Sequence, residues 1–337
     1  MKKILIIQTA FIGDVILATP IVEKLSEFFP EAEIDFLVRK GNEKLLEEHP
    51  KINKVLIWKK SQKKYQSLFQ VINLVRSRKY EVVINVQRFM AAGIITALSG
   101  AKIKIGFRKN PMSFAFHKKI GHHLIGQHET SRNLSLVREL TDDKYARPKL
   151  YPTKANLEMV KQFQNSPYLC FAPSSIWATK QFPSLKWVEL ILSQDEDWTI
   201  YLLGGPADAN ECEELEQMCG RENLINFSGK LSFLESAALM KGAAMNYVND
   251  SAPMHMASAI NAPTNAVFCS TIPSFGFGPL ADNARVIETK KELGCRPCGL
   301  HGKKACPLGH FDCAYSIQKD QFDRPEYPEV ELKSQKN

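Results

Sequence analysis

The chain has 337 residues, 44% hydrophobic and 24% charged, with a formal net charge of +8, which is too long for one ordinary core and too apolar for a disordered segment. Residues 1–150 carry 27 Lys/Arg against 14 Asp/Glu, a surplus of 13, whereas residues 151–337 carry 17 against 22, a deficit of 5; the first half is a basic domain that attracts polyanions. No apolar run reaches the roughly eighteen residues of a spanning helix, and the run after Met1-Lys2-Lys3 is soon broken by Gly13-Asp14, so we expect no anchor and no signal peptide, a cytoplasmic location and reduced cysteines.

Lys3–Ile7 is wholly apolar after its first residue, the signature of a buried parallel strand, and Val15–Phe29 follows with helical spacing. Strand patterns recur at 34–38, 54–57, 82–86 and 102–107, with a helical pattern at 68–77 and another at 129–140. This alternation predicts a parallel sheet covered on both faces. Two basic clusters punctuate it: Lys59, Lys60, Lys63 and Lys64, then Lys102, Lys104, Arg108, Lys109, Lys118 and Lys119. Each cluster alone reads as a solvated surface, but the asymmetry between halves points to an anionic partner such as a phosphorylated glycan or a membrane surface. RNP motifs and interleaved stacking aromatics are missing, which argues against nucleic acid.

Pro148 and Pro152 flank a short extended piece that marks a linker, dividing the chain into domains 1–150 and 151–337. A second alternating series follows. Its strands are expected at 168–172, 199–203, 224–226, 244–248 and 265–268, and its helices at 185–193, 209–218, 233–241 and 254–260. The tail beyond Phe322, with Pro325 and Pro328, is expected to be poorly ordered or draped on the surface.

The chemistry lies at strand-to-helix junctions, where open α/β sheets bind ligands. In Thr9-Ala10-Phe11-Ile12-Gly13-Asp14, Asp14 reads either as a helix cap or as a general base, with Gly13 allowing a tight turn and room for substrate. In Asn249-Asp250-Ser251-Ala252-Pro253-Met254-His255, Asp250 is either a cap or, with Ser251, Ala252 and His255, part of a phosphate and sugar pocket at a helix N-terminus. Ser174, Ser175, Thr179 and Lys180 bring hydroxyls and a cation to the edge of a third strand, and Gly204-Gly205 follows a fourth. One such junction per half predicts two domains facing a ligand. Neither a GxGxxG fingerprint nor a Walker A motif is present. Asp195-Glu196-Asp197 resembles a D-x-D metal motif but falls on the opposite sheet edge, and reads as a turn. Cys295, Cys298, Cys306 and Cys313, with His301 and His310 between them, form a spacing that allows a structural zinc site or a loop of free thiols.

Five motifs, in order, resemble the ADP-heptose:lipopolysaccharide heptosyltransferase family: Phe11-Ile12-Gly13-Asp14-x4-Thr19-Pro20, His128-Glu129-x2-Arg132-Asn133, Lys180-Gln181-Phe182-Pro183, Leu203-Gly204-Gly205-Pro206 and Asn249-Asp250-Ser251-x-Pro253-Met254-His255-x-Ala257. The resemblance spans Ile4 to about Cys313 and implies a GT-B fold, two Rossmann-like domains facing a cleft. It also implies an inverting glycosyltransferase that needs no metal or other cofactor. Asp14 is then the general base, and Lys180 the cation for the leaving diphosphate. Ser174, Ser175, Thr179, Gly204, Gly205, Asp250, Ser251, Ala252 and His255 hold the donor; Thr9, Gly13, Arg108 and His128 hold the acceptor. The implied partners are an ADP-sugar and a phosphorylated lipid A–core glycan, met by a monomer peripheral to the inner membrane. Ala252 stands where the family has glycine, and Phe268-Cys269-Ser270-Thr271 departs from the family's strand end. The alternatives are another nucleotide-sugar donor on the same fold, a sugar-nucleotide epimerase, or a non-catalytic binder of anionic ligands.

Overall fold

Twelve strands form two parallel sheets in this computed structural model, which describes residues 1–60 and 64–325. Lys63 of the first basic cluster and the tail from residue 326, Pro328 included, lie outside the described residues. The described residues pack into two units: Met1–Thr153 with Ser258–Ile260 and Ile272–Leu280, and Lys154–Ala257 with Asn261–Thr271 and residues 281–325.

The first unit contains β1 (Lys3–Ile7), α1 (Ile12–Phe28), β2 (Glu33–Arg39), β3 (Lys54–Trp58), α2 (Lys64–Ser77), β4 (Val82–Asn85), α3 (Met90–Leu98), β5 (Ile103–Phe107), β6 (Lys118–Ile120) and α4 (Glu129–Leu134). Its sheet runs β3-β2-β1-β4-β5-β6, parallel throughout. Ile4, Leu5, Ile6 and Ile7 of β1 are wholly buried because helices cover both faces. The helix expected over 129–140 stops at Leu134 and continues as tight turns, with bonds from Leu136 N–H to Asn133 O and from Leu140 N–H to Val137 O.

The second unit contains α5 (Lys154–Lys161), β7 (Tyr168–Ala172), α6 (Ser184–Leu192), β8 (Thr199–Leu202), α7 (Ala209–Cys219), β9 (Leu224–Asn226), α8 (Phe233–Gly242), β10 (Met245–Asn249), α9 (Ala252–Ala259), β11 (Thr264–Phe268), β12 (Ala284–Glu288) and α10 (Asp312–Tyr315). Its sheet order, β12-β11-β10-β7-β8-β9, repeats the doubly wound order of the first. The core holds Trp187 and Trp198, with Phe171 stacked on Tyr247 at 4.4 Å.

In such sheets the crevice opens where the strand order reverses. That point is β1/β4 in the first unit and β7/β10 in the second. Asp14 follows β1, Lys180 follows β7 and Asp250 follows β10. No helix among the described residues is long and apolar enough to cross a membrane.

Candidate active site

The first junction places Asp14 in the opening turn of a helix. Helix α1 starts at Ile12, earlier than the apolar spacing indicated, and its cap residue is Phe11. Asp14 is therefore inside the first turn and is not the cap. Its side chain is packed among protein atoms yet keeps part of its surface open. Burial, chiefly, and the neighbouring Glu129 carboxylate raise its pKa to about 6, against the pull of the Phe11 and Asp14 backbone and of Arg88. A carboxylate so poised takes a proton at neutral pH more readily than an ordinary aspartate.

Basic groups gather around the loop that joins β1 to α1. Lys60 Nζ donates to Thr9 O at 3.1 Å and lies over the Trp58 ring, and burial together with Arg39 lowers its pKa. Arg39 covers the Phe11 ring at 4.6 Å, and Asn42 Nδ2 donates to Ala10 O at 2.9 Å. Further along the sheet, Arg108, Lys109, His122, His123, Leu124 and Ile125 line a cavity of about 550 Å³. His128 caps α4: its Nδ1 accepts the Thr130 N–H at 3.2 Å and its Nε2 donates to Gly278 O at 3.0 Å. Both ring nitrogens are thus committed within the first unit.

In the second unit the switch point is tied across by Asn249, whose Nδ2 donates to Pro173 O and whose Oδ1 accepts the Phe182 N–H at 2.9 Å. Here Lys180 Nζ meets Asp250 Oδ2 at 2.7 Å, and Thr271 Oγ1 donates to the same oxygen at 2.6 Å. Asp250 is thereby engaged by side chains. Ser251 and Ala252 are half-buried at the start of α9, and His255 is buried one turn on. The arrangement offers a cation and a helix N-terminus side by side, the chemistry of a phosphate site.

The profile of glycosyltransferase family 9 (heptosyltransferase) matches residues 68–308. The chain belongs to this family. Lipopolysaccharide heptosyltransferase 3 of Escherichia coli is 27% identical over 277 residues, covering 77% of this chain and 82% of that protein. The glycosyltransferase family 9 structure from Veillonella parvula superposes with a TM-score of 0.78 at 21% identity, covering 86% of each chain. ADP-heptose lipopolysaccharide heptosyltransferase II of Escherichia coli superposes with a TM-score of 0.74 at 19% identity, covering 88% of this chain and 96% of the other. The GT-B fold that the motifs implied is the one found.

Within this family 9 enzyme, several expected donor residues have internal partners. Ser174 Oγ donates to Glu211 Oε2 at 3.0 Å, and Thr179 Oγ1 accepts from Ser270 Oγ at 3.0 Å and from Lys303 N–H at 2.7 Å. Ser175 is half-buried beside them. At Gly204 a Cβ would come within 2.9 Å of Asp208 Cβ, while Gly205 N–H donates to Asp208 Oδ2 at 2.7 Å, so this glycine pair builds a tight turn. Among the described residues no group of three or more His, Cys, Asp or Glu is arranged to hold an ion, while Cys295, Cys298 and Cys306 lie close enough to Cys313 to act on its thiol. Cys313 joins the apolar core, whereas Cys306 is only half-buried, and Cys295 Sγ lies 4.0 Å from His310 Nε2. The loop also braces the site. Arg296 donates to Cys269 O at 2.7 Å and Thr271 O at 2.7 Å, and Cys298 N–H donates to Ser270 O at 2.9 Å.

Two acids escaped the sequence analysis as candidates. Glu211 on α7 accepts from Ser174 and from Gln181 Nε2 at 3.0 Å, and burial, foremost, raises its pKa. Glu129 appeared only as a motif letter, yet it borders Asp14. A lone Glu on a helix carries no signal of its own; only its neighbours show its role.

Proposed function

We propose that this enzyme transfers heptose from ADP-heptose to the lipopolysaccharide inner core with inversion. The observation that carries the reading is Asp14, a proton-hungry carboxylate at the β1–α1 junction of a family 9 fold. Asp14 takes the proton from an acceptor hydroxyl as that oxygen bonds to the anomeric carbon. The bond from that carbon to the diphosphate oxygen breaks on the opposite face, and ADP leaves with the electron pair. Attack opposite the leaving group inverts the centre.

Lys180 and the N-terminus of α9, through Ser251 and Ala252, take up the charge that grows on the diphosphate. Lys180 enters this role from its pairing with Asp250, so the donor's phosphate competes for a cation already positioned. The reaction as proposed needs no metal. The first unit, residues 1–150 in the main, binds the acceptor; the second, 151–337, binds the donor. Thr9, Gly13, Lys60 and Arg108 are the proposed acceptor contacts, supported by the basic surplus of that half, while His128 holds α4 in place. The same surplus favours peripheral contact with an anionic inner membrane by a cytoplasmic monomer.

The test is release of ADP from ADP-heptose with core acceptors that carry no, one or two heptoses, in EDTA. Asp14→Asn should lower turnover by about a hundredfold or more while ADP still raises the thermal midpoint as in the parent. Near-normal turnover by Asp14→Asn removes Asp14 from the chemistry. Stabilisation by UDP, GDP or CMP in preference to ADP overturns the donor.

A further inference from the structure

The proposed chemistry leaves unused a buried ion network on α4. Arg132 Nε lies 2.6 Å from Glu129 Oε2, one turn apart, and both residues are buried. Arg132 places its other donors on three carbonyls, His123 O at 2.9 Å, Leu124 O at 3.1 Å and Phe275 O at 2.9 Å. Gly276 accepts the Glu129 N–H at 2.7 Å. Its φ of +94° and a virtual Cβ only 2.3 Å from Gln127 O admit no side chain there. His122 Nε2 closes the other side, 3.7 Å from Glu129 Oε2. Burial pushes the Glu129 carboxyl up, but His122 and Arg132 outweigh it and hold the group below the usual glutamate range. Glu129 is thus a fixed charge.

Buried ion pairs add little net stability, so the placement of this one calls for another reason. Helix α4 and the turns after it run alongside α1 in the same direction: Asn133 Nδ2 donates to Leu17 O at 3.0 Å, and further on Lys24 pairs with Asp142. One turn back from Leu17 is Asp14, and one turn back from Asn133 is Glu129. We propose that Glu129 is a positioning residue for the transfer reaction, a locked negative charge beside Asp14 that makes the Asp14 carboxylate a stronger proton acceptor. The proposal rests on Asp14 being the base.

The charges that bear on Asp14 are Glu129 from α4 and Arg88 from the loop after β4, acting in opposite senses; Arg132 and His122 pair with Glu129. Protonation of Asp14 relieves its repulsion from Glu129. That relief grows as the proton transfers, so it favours the transition state over the bound substrate.

The experiment is the pH profile of kcat/KM for the parent and Glu129→Gln, alongside a carbon-13 titration of the Asp14 carboxyl in the free enzyme, its resonance assigned by its loss in Asp14→Asn. The parent's acid limb should centre near 6. In Glu129→Gln both midpoints should fall by about half to one pH unit, so the ratio of rates at pH 5 and pH 8 rises severalfold. A midpoint unmoved in either readout overturns the proposal. If Glu129→Gln fails to fold, Glu129→Gln/Arg132→Met removes both charges of the pair and must show a smaller fall in the same direction. Asp14→Asn with normal turnover sinks the base itself; an inactive Asp14→Asn with an unmoved Glu129→Gln limb sinks only the tuning.

Discussion

Lys180 and Asp250 show why a single residue's function and its structural bond have to be separated. Their 2.7 Å ion pair is largely sheltered, with 15% and 6% of the side chains exposed. Lys180→Met strands the Asp250 carboxylate with only Thr271, at a cost of about 3 kcal/mol. Lys180→Met/Asp250→Asn removes both charges and should regain most of the lost thermal midpoint. Turnover should not recover with it, remaining about a hundredfold down for want of the cation on the diphosphate. A double variant that regains turnover along with stability would make Lys180 a structural partner alone. Asp14, Lys180 and Asp250 were legible in the sequence because each follows an apolar run at a junction. Glu129 and Glu211 were not, since their meaning comes from neighbours distant in the chain: Asp14, 115 positions away, and Ser174, 37 positions away.

Among elements, the cysteine-rich loop has a structural part that its sequence pattern did not announce. Its spacing allows a tetrahedral ion or free thiols, and its backbone and Arg296 hold the strand end at Cys269–Thr271. Gly302 is buried where a Cβ would stand 2.6 Å from Trp177 Cβ and 2.7 Å from Lys180 Cγ. Gly302→Ala should therefore displace Lys180 and lower kcat by between about ten- and a hundredfold while the fold persists. Gly294→Ala, where a Cβ meets nothing within 4 Å, is the control and should match the parent. Equal rates for the two variants would show that the loop does not position Lys180. Among the strands, β6 and β12 were not anticipated. Both are sheet edges, and Lys118-Lys119-Ile120 and Ala284–Glu288 lack the continuous apolar run that buried strands display.

For the whole molecule, the charge difference between the halves has a measurable consequence. If the basic first unit binds the acceptor, as proposed, it attracts a phosphorylated glycan through screened, long-range attraction, whereas the donor is held by close contacts. Raising salt from about 50 to about 300 mM should raise the KM for the acceptor severalfold and leave that for ADP-heptose nearly unchanged. Equal salt dependence for both substrates would refute this division of labour. The sequence by itself determined the α/β alternation, the junctions that carry Asp14, Lys180 and Asp250, and the polarity of the charge. These follow from local pattern: apolar runs, helix periodicity and composition. Only the tertiary structure decided that α1 begins at Ile12, that Asp250 is bound to Lys180 and Thr271, that the cysteine loop braces the strand end at Cys269–Thr271, and that Glu129 stands locked in its ion pair with Arg132. Those outcomes depend on burial and on contacts between residues far apart in the chain, where desolvation and neighbouring charge set what a carboxylate does.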